Sequence, residues 1–357
     1  MTAQVGTQYR PGAGLRMLAS AVDAYRRVFV EGEAAQLLSR PQPVRHSGFD
    51  FDVMIEQIEQ EADGVVSVTL RDPDGGQLPA WTPGAHIDVF LPSGRQRQYS
   101  LNSDPADRSA YRIAVRYIAN GEGGSREIHE NLRVGDRLAV RGPRNAFPLV
   151  AAPEYLFVAG GIGITPILPM VIAAERAGIP WRLMYLGRSR SRMPFLCELA
   201  QLTGGDVVVR PDDEFGVPNP RMIFEQTPTG AAVYVCGPPA LAEAAREVLS
   251  LHDPSASLHT ERFSPIPVRD GDPFHLWLRR SGIHVDVAAD ESTLAAIRRV
   301  LPGVAYSCQQ GFCGTCRAEV LSGEVDHRDR LLLDGDRDRT MLTCVSRARG
   351  GELELDL

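Results

Sequence analysis

A chain of 357 residues that is 43% hydrophobic and 23% charged has the composition of a soluble globular protein and the length for two or three domains. Its formal charge of −7, with no basic run, argues against a nucleic-acid partner, and no apolar stretch is long enough for a membrane span. Lysine is absent, so every basic chain other than histidine is an arginine; this is a compositional bias rather than a functional signal. The six cysteines and the lack of an apolar leader lead to the expectation of a reducing, cytoplasmic setting.

Residues 1–48 read as an extension. Leu15, Leu18, Val22, Tyr25 and Phe29 recur at helical spacing, with Arg16, Asp23, Arg26 and Arg27 between them. One amphipathic helix is expected, packed on its own protein or docking a partner or second subunit. Its mixed polar face does not suit a membrane surface.

Over 49–150 the period changes to two. Phe51–Ile58, Gly64–Leu70, Ala85–Leu91, Arg112–Ile118 and Asp136–Val140 read as short antiparallel strands of a small closed β-barrel. Two polar stretches within it are not required by strand patterning: Arg97-Gln98-Tyr99-Ser100-Leu101, and Gly123-Gly124-Ser125-Arg126 ahead of a helical run. Glycines at a helix start leave backbone N–H groups free for an anion, and an arginine on a neighbouring strand would complete a phosphate site.

Over 151–264 strands and helices alternate, the pattern of a doubly wound parallel sheet. Its first strand-to-helix turn, Gly160-Gly161-Ile162-Gly163-Ile164-Thr165-Pro166, is not the G-x-G-x-x-G fingerprint. The mechanics are similar: glycines admit a pyrophosphate, Thr165 is placed to cap the helix, Pro166 to open it, and Pro169 to fall in its first turn. Cys236-Gly237-Pro238 ends the fourth strand at the carboxyl edge, where such sheets bind ligands. Cys197 reads as a core thiol.

Residues 265–273 have the proline and glycine content of a linker. In 274–357, a hairpin turning at Ser281-Gly282 precedes a helix from Ser292 to Val300, and then Cys308, Cys313 and Cys316 stand as C-x4-C-x2-C, with Cys344 further on. This is the ligand spacing of a plant-type [2Fe–2S] cluster. A thioredoxin-like pair, a zinc site or free thiols are the weaker readings, and no adjacent histidine supports a Rieske centre.

Cys308 to Cys344 resembles the plant-type ferredoxin module, here with β-grasp element order. Together with Arg97–Leu101, Gly123–Ser125, Gly160–Pro166 and the Cys236 corner, the chain from Phe49 on resembles the phthalate dioxygenase reductase type of the ferredoxin–NADP reductase superfamily, which includes vanillate demethylase reductases. That resemblance implies a flavin lined by Arg97, Gln98, Tyr99 and Ser100, edged by Ala114, Val115 and Arg116, with its phosphate on Gly123, Gly124 and Ser125. It implies FMN rather than FAD. It also implies a nicotinamide dinucleotide on Gly161, Gly163, Thr165, Pro166, Arg188 and the Cys236-Gly237-Pro238 corner, with Ser100, Cys236 and Glu261 positioning it for hydride transfer. Electrons would pass from NADH through FMN and the cluster to a Rieske-type oxygenase or other monooxygenase. The alternatives are a cytochrome P450 as acceptor, or a redox sensor without rapid turnover. The loop Arg188-Ser189-Arg190-Ser191-Arg192 carries no carboxylate and could hold the 2′-phosphate of NADPH, whereas reductases of the family usually use NADH. Ala146 stands where relatives often have histidine.

Overall fold

The computed structural model describes residues 50–357 apart from Gln226 and Pro254; the N-terminal amphipathic helix expected within 1–48 lies outside the described residues. Among the described residues no helix is long and apolar enough to cross a membrane.

Six strands, β1 (Asp50–Ala62), β2 (Val65–Arg71), β3 (Ala85–Phe90), β4 (Gln96–Ser100), β5 (Ala110–Arg116) and β6 (Arg137–Asn145), form an antiparallel sheet in the order β4-β3-β6-β1-β2-β5. A bridge between Leu101 and Ile113 joins its two edges, so the sheet curls into a barrel. Alternation along the strands points Val53, Ile55, Ile87, Val89 and Val140 inward, all fully buried. Helix α1 (Gly124–Glu130) adds Ile128 to the same core.

The second domain is a parallel sheet of β7 (Tyr155–Gly160), β8 (Trp181–Gly187), β9 (Asp206–Pro211), β10 (Ala232–Cys236) and β11 (Ser257–Glu261), ordered β11-β10-β7-β8-β9. Tyr155, Phe157 and Ala159 of β7 face helix α2 (Ile164–Ala177), while Leu156 and Val158 face helix α3 (Pro239–His252). With both faces covered, the strand reads as a continuous apolar run. Strand order reverses between β7 and β10, so the first glycine turn and the Cys236 corner meet there.

The start of α2 differs from the sequence expectation. Gly161–Gly163 form a turn of 3-10 helix, and α2 begins only at Ile164. Thr165 is therefore inside the helix, its hydroxyl donating to the Ile162 carbonyl at 3.0 Å rather than capping. Pro166 is the third residue of α2 and Pro169 lies beyond the first turn, where it removes one backbone hydrogen bond. Cys197 is also a correction: its helix is a single turn, Leu196–Leu199, whose buried residue is Leu199, and the thiol faces solvent.

The third domain is a mixed sheet of β12 (Phe274–Leu278), β13 (Ile283–Val287), β14 (Arg317–Ser322), β16 (Thr340–Leu342) and β18 (Glu352–Leu355), ordered β13-β12-β18-β14-β16. The strand pair β15 (Val325–Asp326) and β17 (Arg347–Ala348) flanks it. Helix α4 (Thr293–Val300) starts at Ser292, whose side chain accepts from Ala295 N at 3.1 Å, and seats Ala296 and Ile297 on the sheet. The segment 265–273 is held along this domain. Arg328 donates to the carbonyls of Arg269 (2.7 Å) and Asp270 (3.1 Å), and buried Arg347 donates to that of Asp272 (2.8 Å).

Candidate active site

All three domains line one cavity of about 440 Å³. The barrel contributes Arg97, Gln98, Tyr99, Ser100, Ala114, Val115, Arg116, Gly124 and Ser125; the parallel-sheet domain contributes Ile162, Thr165 and Glu261; the third domain contributes Tyr306 to Gln310 and Phe312. Barrel closure explains part of this convergence, since the Leu101–Ile113 bridge brings the end of β4 beside β5.

At the barrel end, the Arg97 side chain lies across Gly124: a β-carbon there would stand 2.7 Å from Arg97 Cγ. Gly123 takes φ of 86°, turning the chain into α1. Arg97 Nη2 bonds Glu122 Oε2 at 3.0 Å, and the Ser125 hydroxyl accepts from Ile118 N at 3.1 Å. Glu122 is largely exposed, so it holds Arg97 only as a solvated carboxylate does. Burial raises the Tyr99 phenol, which stays neutral, and Ser100 is buried beside it.

In the parallel-sheet domain, Gly163 packs against Cys236, where a β-carbon would stand 2.6 Å from the carbonyl carbon. The glycine thus serves helix–strand packing, while Gly161, at φ of 55°, has open space around it. Gly237 also packs on Gly160, where a β-carbon would stand 3.0 Å from the Gly160 α-carbon. Burial holds the Cys236 thiol well above its ordinary range, so it packs as a neutral group. Burial also pushes Glu261 up to about 8, and its Oε2 has no hydrogen-bond partner. Of the predicted site residues, Gly123, Gly161, Gly163, Pro166, Arg188, Cys236, Gly237 and Pro238 do not line this cavity. Arg188 is exposed on the loop after β8, where Arg190 is paired by both carboxylate oxygens of Glu214, at 2.7 and 3.0 Å.

In the third domain the four predicted thiols gather in one loop system. Cys308 contacts Cys313 and Cys344, and Cys316 contacts Cys344. Gln310 N points at Cys308 Sγ from 3.3 Å. Gly311 and Gly314 take φ of 78° and 75°, the left-handed bends that wrap the chain round the thiols.

Sequence reasoning missed the seam between barrel and cluster loop. Ser307, one residue before Cys308, accepts from Gln98 Nε2 (2.8 Å) and Arg144 Nη2 (2.6 Å) and donates to Asp88 Oδ1 (2.9 Å). Gln96 Nε2 donates to the Tyr306 carbonyl at 2.6 Å. Asp88 is fully buried and ion-paired with Arg144; burial raises its carboxyl in spite of that pairing. His86, two residues along β3, is buried in the cavity wall with neither ring nitrogen partnered. Burial and then Arg144 lower it to about 4, so the ring is neutral. The one signal was two polar residues at i and i+2 of an otherwise apolar strand.

Two families match the chain: one described as oxidoreductase FAD-binding domain over residues 53–148, the other as 2Fe-2S iron-sulfur cluster binding domain over 278–349. Phthalate dioxygenase reductase of Burkholderia cepacia is 38% identical over 308 residues, covering 84% of this chain and 95% of that protein. The chain belongs to this reductase family. A toluene-4-sulfonate monooxygenase system reductase subunit of Comamonas testosteroni is 39% identical, covering 86% of this chain and 99% of that one. Among solved structures, a phthalate dioxygenase reductase matches with TM-score 0.65 and 36% identity, covering 87% of this chain and 98% of that chain. A self-sufficient cytochrome P450 monooxygenase matches with TM-score 0.69 and 42% identity, over 90% of this chain but 44% of that one.

The residues present fit a flavin and a [2Fe–2S] cluster. The cavity carries unpartnered polar groups on His86 and Glu261, the lack of a side chain at Gly124 lets Arg97 lie across the turn, and four thiols meet in a glycine-bent loop. The chain is an NAD(P)H-dependent flavin and iron–sulfur reductase. When bound, a flavin accepts two electrons as hydride and releases them singly, matching a cluster that carries one at a time. Ser100 is buried and Tyr99 partly buried, Cys236 packs as a neutral thiol, and Glu261 holds its proton near neutral pH.

Proposed function

We propose that this reductase takes hydride from NADH, binds FMN as its flavin, and delivers electrons in the cytoplasm to a separate oxygenase protein of Rieske or other monooxygenase type. The observation that carries the FMN reading is the cradle of Arg97, Gly124 and Ser125 on the cavity wall, the donors a terminal phosphate needs. In this reading Arg97, Gln98, Tyr99, Ser100 and the Ala114–Arg116 edge hold the ring, and Cys236, Ser100 and Glu261 align the nicotinamide. Cys308, Cys313, Cys316 and Cys344 ligate the cluster.

The separate acceptor is supported by relatives that the chain matches over nearly their full length. They are named as reductase subunits of toluene-4-sulfonate, carnitine, phthalate and tert-butanol oxygenase systems. A P450 acceptor is the second reading, favoured by the likeness to P450 fusion chains. Mass analysis of acid-released flavin tests the first part, and FAD in place of FMN overturns it. NADH-driven reduction of purified oxygenases against a P450 tests the second.

A further inference from the structure

We infer that Asp88, Arg144 and Ser307 form a clamp that positions the cluster loop on the flavin cavity and thereby sets the rate of electron passage between the two domains. The inference rests on the cavity being the flavin site.

A serine hydroxyl has one proton to give and two lone pairs to fill. Ser307 uses all three, toward groups from β3 (Asp88), β4 (Gln98) and β6 (Arg144). A loop anchored to three strands of another domain through one atom has little freedom to slide. The anchor is also dry: Ser307 is 6% exposed and Asp88 0%. An unmet partner would therefore be costly, because neither group can turn to water instead. The adjacent residue adds a contact of its own, Gln96 Nε2 to the Tyr306 carbonyl at 2.6 Å, with the Tyr306 hydroxyl returning toward the Gln96 carbonyl at 3.4 Å.

Position along the chain makes the clamp functional as well as adhesive. Ser307 precedes Cys308, a cluster ligand by spacing, and both line the same cavity as Tyr99 and Ser100. In β3–β4 pairing, Asp88 stands opposite Gln98 and His86 opposite Ser100. The clamp is thus two residues along the ladder, on the same face, from the flavin-lining serine. Electron passage falls steeply with separation, so a loop held by the barrel keeps a fixed rate whatever the linker does. Asp88, Arg144 and Ser307 are positioning residues that act through Cys308.

The test uses the full-length holoprotein and two variants, Ser307→Ala and Asp88→Asn, the second on the barrel rather than on the cluster loop itself in case the first loses iron. Hydrogen exchange at residues 304–312 reads the clamp directly and needs no turnover. Anaerobic single-turnover mixing with NADH reads flavin bleaching and cluster bleaching separately. At unchanged iron content, exchange should quicken at least about tenfold, as expected for losing a buried hydrogen bond worth about 1–3 kcal/mol, and cluster bleaching should slow, because electron passage falls steeply with separation. Flavin bleaching in the same traces should slow by a smaller factor than cluster bleaching. Unaltered exchange, or cluster bleaching at the wild-type rate in both variants, overturns the clamp. Failure of NADH to bleach a flavin in the wild type would instead overturn the assignment of the cavity.

Discussion

Gly124 lies beneath Arg97 so closely that a methyl group on its α-carbon would stand 2.7 Å from Arg97 Cγ. The glycine is there because the arginine must cross it to reach the turn before α1. Gly124→Ala should force Arg97 aside and weaken flavin binding about tenfold, equivalent to about 1.4 kcal/mol. Arg97→Ala removes a charge-assisted hydrogen bond worth about 1.5–3 kcal/mol and should weaken it further. Flavin retention on gel filtration, with the cluster spectrum as internal control, measures both. Full retention in Arg97→Ala would place the phosphate elsewhere.

Much of this architecture was legible because each domain uses a different hydrophobic period. Alternation in Asp50–Ala62 and the unbroken apolar run Tyr155–Ala159 have different burial, one face against two, and the sequence displays that directly. Cysteine spacing was legible for a chemical reason, since four thiols at fixed intervals have few other uses. What escaped depends on partners distant in sequence. Asp88 and Ser307 are 219 positions apart, and a polar residue on a strand looks like a solvent face until the covering domain is seen. The start of α2 was misplaced because Thr165-Pro166 has the composition of a helix start, while Gly161–Gly163 had already begun the turn in 3-10 geometry.

Cys344→Ser should abolish the cluster while leaving the flavin. Iron, acid-labile sulfide and the visible spectrum would show loss of the cluster, NADH–ferricyanide activity should persist, and NADH–cytochrome c activity should collapse. Zinc recovered with the wild-type protein after anaerobic preparation would refute the cluster assignment.

Glu261 gives a pH prediction with a definite sign. Its folded-state value, about 8, is raised from an ordinary 4.5 by burial, so between those limits the folded chain binds the proton and the unfolded chain does not. Its contribution to stability is complete below about 4.5 and is lost as pH rises through about 8, at a rate on the order of 1 kcal/mol per pH unit. Glu261→Gln keeps the shape and removes the titration. Its melting temperature relative to wild type should therefore climb from pH 5 to pH 9. A constant difference across that range would mean the carboxyl is solvated in the folded protein.

The last prediction concerns which nucleotide is used. The loop after β8 offers Arg188, Arg190 and Arg192, and read along the chain it has no acid to oppose a 2′-phosphate. The fold supplies one from 24 positions away: Glu214, in the short helix after β9, grips Arg190 with both oxygens, and Asp213 N bonds the Arg188 carbonyl at 3.1 Å. A 2′-phosphate would have to displace Glu214 and sit beside its charge, whereas a 2′-hydroxyl meets no such opposition. NADH should therefore be preferred, by at least about tenfold in kcat/KM, or about 1.4 kcal/mol. The pair is roughly half exposed, so Glu214→Gln should shift the ratio toward NADPH by no more than about fivefold, in line with about 1 kcal/mol for a surface ion pair. Steady-state assays of both nucleotides with ferricyanide measure this. If wild type prefers NADPH by tenfold and Arg188→Ala erases that preference, the arginine loop is a phosphate clamp and Glu214 is only its surface neighbour.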